Sequence, residues 1–110
     1  MTAHAAPTPA SLEDMRNALA AQSAVVVDIR EPAEHATGVA KGARLMPLST
    51  LAARLGELSK SNAPLLIVCN TQNRSSRVVE QLQKMGYPNA QYVDGGMSLW
   101  ARRGWDMVTP

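Results

Sequence analysis

The sequence predicts an α/β fold, a mostly parallel sheet of four to five strands with helices on both faces. Two observations carry this expectation. Residues 24–29, with the uninterrupted run Val25, Val26 and Val27, and the apolar residues 65–68 are of strand length and rich in branched side chains, and such runs suit strands covered on both faces. The segments between and after them carry apolar residues at helical spacing, so strands alternate with helices and each new strand is reached by a crossover.

Taken in order, residues 1–9 are small, polar and proline-containing and read as a flexible lead-in, with residues 10–110 as one folded domain. Ser11 offers an N-cap and Asp14, three residues on, completes a capping box. Leu12, Met15 and Leu19 then mark one face of a helix to about Ala21. Residues 24–29 form a buried strand that ends at Asp28 and Arg30, on the sheet edge where open α/β folds place ligands. Residues 44–48 are a short strand ended by Pro47, and Ser49 is positioned to cap a helix with Leu51, Leu55 and Leu58 facing the core. After a polar loop at 60–64 comes the strand at 65–68. A helix then runs to Met85, capped by Ser75 or Ser76, with Val78, Val79, Leu82 and Met85 on its buried face and Gly86 closing it. Residues 91–93 make a last strand, followed by the turn Asp94, Gly95, Gly96 and a short helix containing Trp100. Trp100 and Trp105 read as packing groups.

Composition narrows the function classes. The 110 residues are 45% hydrophobic with two Trp, two Tyr and no Phe, so the core is built from aliphatic residues and Met. A net charge of +2 without a basic cluster argues against nucleic acid as a partner. No apolar run is long enough to span a bilayer, and the N-terminus lacks a signal-peptide pattern. The two histidines, His4 and His35, are far apart and do not indicate a metal site. A single cysteine excludes an internal disulfide, and an unpaired thiol fits a reducing cytoplasm. The chain is read as a monomer.

That cysteine, Cys69, follows the strand at 65–68 directly. The polar residues Asn70, Thr71, Gln72 and Asn73 come next, then Arg74 and Ser75 at a helix start. Strand, tight loop and helix N-terminus together gather backbone N–H groups and the positive end of a helix dipole, which favour an anion and hence a thiolate at Cys69. A small apolar filler at a strand end is the plain alternative for a lone buried cysteine. A phosphatase loop needs five residues between Cys and Arg to surround a phosphate. Here there are four, which suits a smaller guest such as one sulfur atom.

The stretch resembles the active-site loop of the rhodanese family, C-x-x-G-x-R-S, with Cys69, Arg74 and Ser75 matching and Gln72 where the family has glycine. Asp28, Arg30, Glu34, His35, Gly38, Gly42 and Ala43 fit the family's first signature, in which Val39, Ala40 and Lys41 replace His-Ile-Pro. Gly95, Gly96 and Trp100 fit its closing motif. The resemblance implies a rhodanese-like fold over residues 10 to 108 and a sulfurtransferase. In that role Cys69 takes sulfane sulfur from thiosulfate or a low-molecular-weight persulfide and passes it to cyanide, a thiol or a protein acceptor, chemistry that needs no metal or organic cofactor. It further implies that the loop from Asn70 to Ser75 binds the substrate, that Arg74 adds positive potential, and that Asp28, with Arg30 beside it, supports the loop. A sulfur carrier or a regulatory binding module on the same fold is the alternative. Glycine at position 72 would mean positive φ, so Gln72 is expected to sit strained in a loop of family shape.

Overall fold

The computed structural model describes residues 9–60 and 63–110. The lead-in up to Thr8, His4 within it, and two residues of the loop before β3 lie outside that range.

The elements run α1 (Leu12–Ala21), β1 (Val25–Asp28), α2 (Pro32–His35), β2 (Arg44–Leu45), α3 (Leu48–Leu51), a 3-10 helix (Ala52–Glu57), β3 (Leu65–Val68), α4 (Asn73–Lys84), β4 (Ala90–Tyr92) and α5 (Gly96–Arg102). The four strands form one sheet in the order β2-β1-β3-β4, and every pairing is parallel. Connections leave β1 toward one edge and β3 toward the other, so the chain parts above the carboxyl ends of these two neighbours. That is the crevice in which open α/β sheets bind ligands.

Side chains alternate across the sheet and build a core on each face. Val27, Ile29, Leu65, Ile67 and Cys69 pack with Leu51, Leu58, Val78, Val79 and Leu82 beneath α3, the 3-10 helix and α4. Val26, Leu66 and Val68 pack with Leu12, Met15, Met97 and Trp100 beneath α1 and α5. Branched residues on both faces of β1 and β3 are what two helical layers require.

The capping box forms as expected. The Ser11 hydroxyl accepts from Asp14 N at 2.9 Å, and the Asp14 carboxylate accepts from Ser11 N at 3.1 Å. Other boundaries differ from the sequence reading. Pro47 takes the N-cap place of α3, and Ser49 lies inside the helix, its hydroxyl donating to Glu31 at 2.6 Å. The helix tightens to a 3-10 form after Leu51, so Leu58 is buried from beyond its end. Gln72, not Ser75 or Ser76, stands at the N-cap of α4, and both serines are helical. Met85, expected on the buried face, is 50% exposed. Val39 and Ala40 are buried, and Val39 exchanges backbone hydrogen bonds with Val108. In this chain the segment that departs from the family's His-Ile-Pro has a packing role.

Gly96 has φ +58, and a Cβ there would overlap the carbonyl oxygens of Thr71 and Cys69. Gly96→Ala should therefore destabilise the fold by about 2–4 kcal/mol, combining overpacking with left-handed strain. Nothing lies near a Cβ at Gly56, so Gly56→Ala should change stability by less than about 1 kcal/mol. Urea denaturation of the two variants checks the contrast.

Candidate active site

Cys69 stands where β3 ends, beside β1, with Ile29 N donating to Val68 O at 3.0 Å. Its residue is only 1% exposed, so a substrate must reach the sulfur through the mouth of the loop that follows. The thiol donates to the Ser75 hydroxyl at 3.4 Å, and Ser75 in turn donates to Gln72 O at 3.3 Å. Ser75 is fully buried. A filler cysteine would need neither contact.

The loop backbone is held from outside by α5. Met97 N donates to Cys69 O and Ser98 N to Asn70 O, each at 2.8 Å. Gly96 permits this approach because its Cα lies against the loop carbonyls, where no side chain fits. With the carbonyls so occupied, the N–H groups of Asn70, Thr71, Gln72, Arg74 and Ser75 have no acceptor among the described residues. Only Asn73 N in this stretch has a partner, the Thr71 hydroxyl at 3.5 Å. Five open donors at a loop and helix start form a cradle for an anion.

Gln72 corrects an expectation. Its φ is −139, so it is not strained in the left-handed region. Its side-chain oxygen accepts from Gly95 N at 3.3 Å, joining the loop to the turn before α5. The side chain supplies a tether that glycine lacks, and the backbone at this position keeps a negative φ.

Arg74 makes a bidentate pair with Glu34, at 2.8 and 2.7 Å. The hydrogen bonds from Arg74 outweigh partial burial and hold the Glu34 carboxyl well down, from 4.5 to about 2. Glu34 in turn raises Arg74. The charge of Arg74 is thus matched at its own site, and its main effect is to anchor the start of α4 to α2.

Asp28 and Arg30 act one step further back. Arg30 is buried and donates to Asp28 through Nε at 3.1 Å and Nη2 at 2.9 Å, to Gly38 O at 2.8 Å and to Glu34 O at 3.3 Å. His35 Nε2 lies 3.3 Å from Asp28 Oδ1 but forms no hydrogen bond. Among the described residues neither Asp28 nor Arg30 has a side-chain hydrogen bond or ion pair to the loop. They fix α2, and α2 presents Glu34 to Arg74. The hydrogen-bonded path from Asp28 to the loop runs through Arg30, Glu34 and Arg74. Glu34, quoted in the first signature but given no task, is the group that sequence reasoning passed over. Its partner stands 40 positions away, and only the (Glu, Arg) pair of charges in two separate motifs signals it.

Comparison with known proteins meets this geometry. The profile described as Rhodanese-like domain matches residues 8–103. The chain belongs to the rhodanese-like domain family. A sulfurtransferase of Allochromatium vinosum is 33% identical over 89 residues, covering 81% of this chain and 82% of that one. The thiosulfate sulfurtransferase GlpE of Pseudomonas entomophila is 37% identical over 83 residues, covering 76% and 75%. Among solved structures, a rhodanese-related protein of Thermoplasma volcanium superposes with a TM-score of 0.81 at 26% identity, over 93% of this chain and 98% of that one. The all-parallel sheet and its helices are thus those of a rhodanese-like domain, and the two relatives just described are named sulfurtransferases.

The Glu34–Arg74 pair gives this rhodanese-like domain a defined acid response. Because Glu34 has a folded pKa below its ordinary value, the pair's stabilisation is present above about pH 4.5 and is lost as pH falls toward about 2. The urea midpoint of Glu34→Gln should lie below that of the wild type at pH 6 and converge on it between pH 4.5 and 2. Both side chains are about one-third exposed, so the gap should also narrow as salt is raised.

Proposed function

We propose that this chain is a sulfurtransferase that holds sulfane sulfur as a persulfide on Cys69. The observation that carries the reading is the placement of the Cys69 thiol on Ser75, within a loop whose five backbone N–H groups have no acceptor in the described chain.

The Cys69 thiolate attacks the outer sulfur of a donor. The donor's S–S bond breaks, and the leaving group departs with the electron pair, as a thiolate from a persulfide or as sulfite from thiosulfate. The N–H groups from Asn70 to Ser75 then donate to the anionic outer sulfur, as an oxyanion hole does to developing charge. Ser75, now an acceptor from the thiol, turns to donate to the sulfur once the thiol has lost its proton. A thiol, cyanide or a protein acceptor removes the outer sulfur in the second step, returning the Cys69 thiolate. Splitting the transfer in two is nucleophilic catalysis, and it balances without an external oxidant.

Arg74 and Glu34 keep the loop's shape while leaving it without net charge. Asn70, Thr71, Gln72 and Asn73 are neutral, so the site binds a singly charged persulfide better than the thiosulfate dianion. A loop with four residues between Cys69 and Arg74 likewise excludes phosphate esters.

Incubation with glutathione persulfide should add about 32 Da, one sulfur, to the intact protein, and cyanide or a thiol should remove it. Cys69→Ser should gain nothing. An unmodified Cys69 after both a persulfide and thiosulfate would rule the reading out. The kcat/KM for the persulfide should exceed that for thiosulfate, and placing Lys at Thr71 should lower the thiosulfate KM by an amount that shrinks with salt.

A further inference from the structure

A groove between α4 and the α3 and 3-10 segment takes no part in the chemistry above. It encloses about 520 Å3, a size that holds small-molecule ligands. Leu51, Leu55, Val78 and Leu82 line its floor, and Leu48 and Met85 stand at its rims, 38% and 50% exposed. The α4 contribution recurs at 74, 77, 78, 81, 82 and 85, a single stripe along the helix about 16 Å long.

The groove starts at the sulfur site. Asn73 and Arg74, which close the Cys69 loop, line one end. Cys69 itself packs in the same core cluster as Leu51, Val78 and Leu82, so its side chain lies on the groove's side of the sheet. Arg77, one turn beyond the loop, also lines it, is exposed, and makes no ion pair or hydrogen bond among the described residues. From the loop outward the surface thus offers an unmatched cation and then an apolar trench.

We propose that this trench binds the aliphatic arm of the sulfur acceptor, an unbranched alkyl thiol whose thiolate end lies toward Arg77 and Cys69. The proposal rests on the sulfur-transfer reading and names the acceptor class. The acceptor thiolate attacks the outer sulfur of the Cys69 persulfide and a new S–S bond forms. The old S–S bond breaks, Cys69 leaves with its electron pair as thiolate, and the proton that the acceptor thiol gave to the anionic outer sulfur on forming its thiolate leaves with the transferred sulfur. An alkyl arm suits a floor of Leu and Val that has no hydrogen bonds to give, whereas a polar arm would lose its water there without return. The negative thiolate meets the one cation of the lining that is not already paired with Glu34.

The test uses Cys69 persulfide prepared with glutathione persulfide and discharged by the uncharged-tail series HS–(CH2)n–OH, with n of 2, 4, 6 and 8. The second-order rate constant should rise about two- to fourfold per added methylene, the upper figure being full burial. The same thiols should show no rise against glutathione persulfide in free solution. Met85→Glu and Leu48→Glu, at exposed positions that do not threaten folding, should flatten the series. Arg77→Gln should lower all rates by a similar factor with the slope intact. A flat wild-type series, or a slope that survives both glutamates, overturns the proposal. A concentration-dependent dimer in sedimentation that Met85→Glu abolishes overturns it as well, because the trench is then a seam between copies. Absence of the persulfide, read before any acceptor is added, overturns both this proposal and the sulfur-transfer reading on which it rests.

Discussion

The structure depends on one backbone constraint: the loop after Cys69 must keep its N–H groups free while its carbonyls are taken. A buried peptide group without a partner is costly, so a loop can leave donors open only if something else holds its shape. Here α5 does so, with two N–H groups on the carbonyls of Cys69 and Asn70 and with Gly96 bringing the two backbones together. The first turn of α4 contributes donors that every helix leaves unpaired. The cradle is therefore assembled from the ends of β3, α4 and α5, and its chemistry is almost entirely main-chain.

Charge is handled at a distance from that cradle. Asp28 and Arg30 are buried against each other, and Arg30 spends its remaining donors on the carbonyls of Glu34 in α2 and of Gly38. This arrangement makes α2, a helix of four residues, rigid enough to offer Glu34 to Arg74. Under the proposed function, a site that stabilises one extra negative charge on sulfur is served by a loop that positions dipoles and keeps full charges paired.

Much of this was legible in the sequence where the signal is local. The three valines of β1 and the unbroken run of β3 announce burial on two faces, and Ser11 with Asp14 announces the start of α1. Cys69, Arg74 and Ser75 mark the loop by their spacing. The misses share a cause, which is that the deciding partner is remote. Ser75 looks like a helix cap, but its hydroxyl is taken by Cys69 and Gln72, and the helix begins earlier to supply donors to the loop. Gln72 looks strained against a family glycine, yet Gly95, 23 positions on, offers it a hydrogen bond in an ordinary conformation. Met85 continues the apolar period of α4, but the facing segment has narrowed into a 3-10 helix and leaves it uncovered. Periodicity reports which residues can be buried, and the neighbouring element decides which of them are.

The tie between α5 and the loop also sets an order of events. Cys69 emerges in the middle of the chain, while Gly96, Met97 and Ser98, which shape its surroundings, come almost thirty residues later. Contacts of this sequence separation form late, after the local helices. During synthesis, a nascent chain that has already exposed its cysteine still lacks the frame of open N–H groups around it, and its thiol behaves like that of any unstructured peptide. Docking of the last helix is then the step that completes the cradle around Cys69, so under the proposed function activity is a reporter of completed folding and not of partial structure.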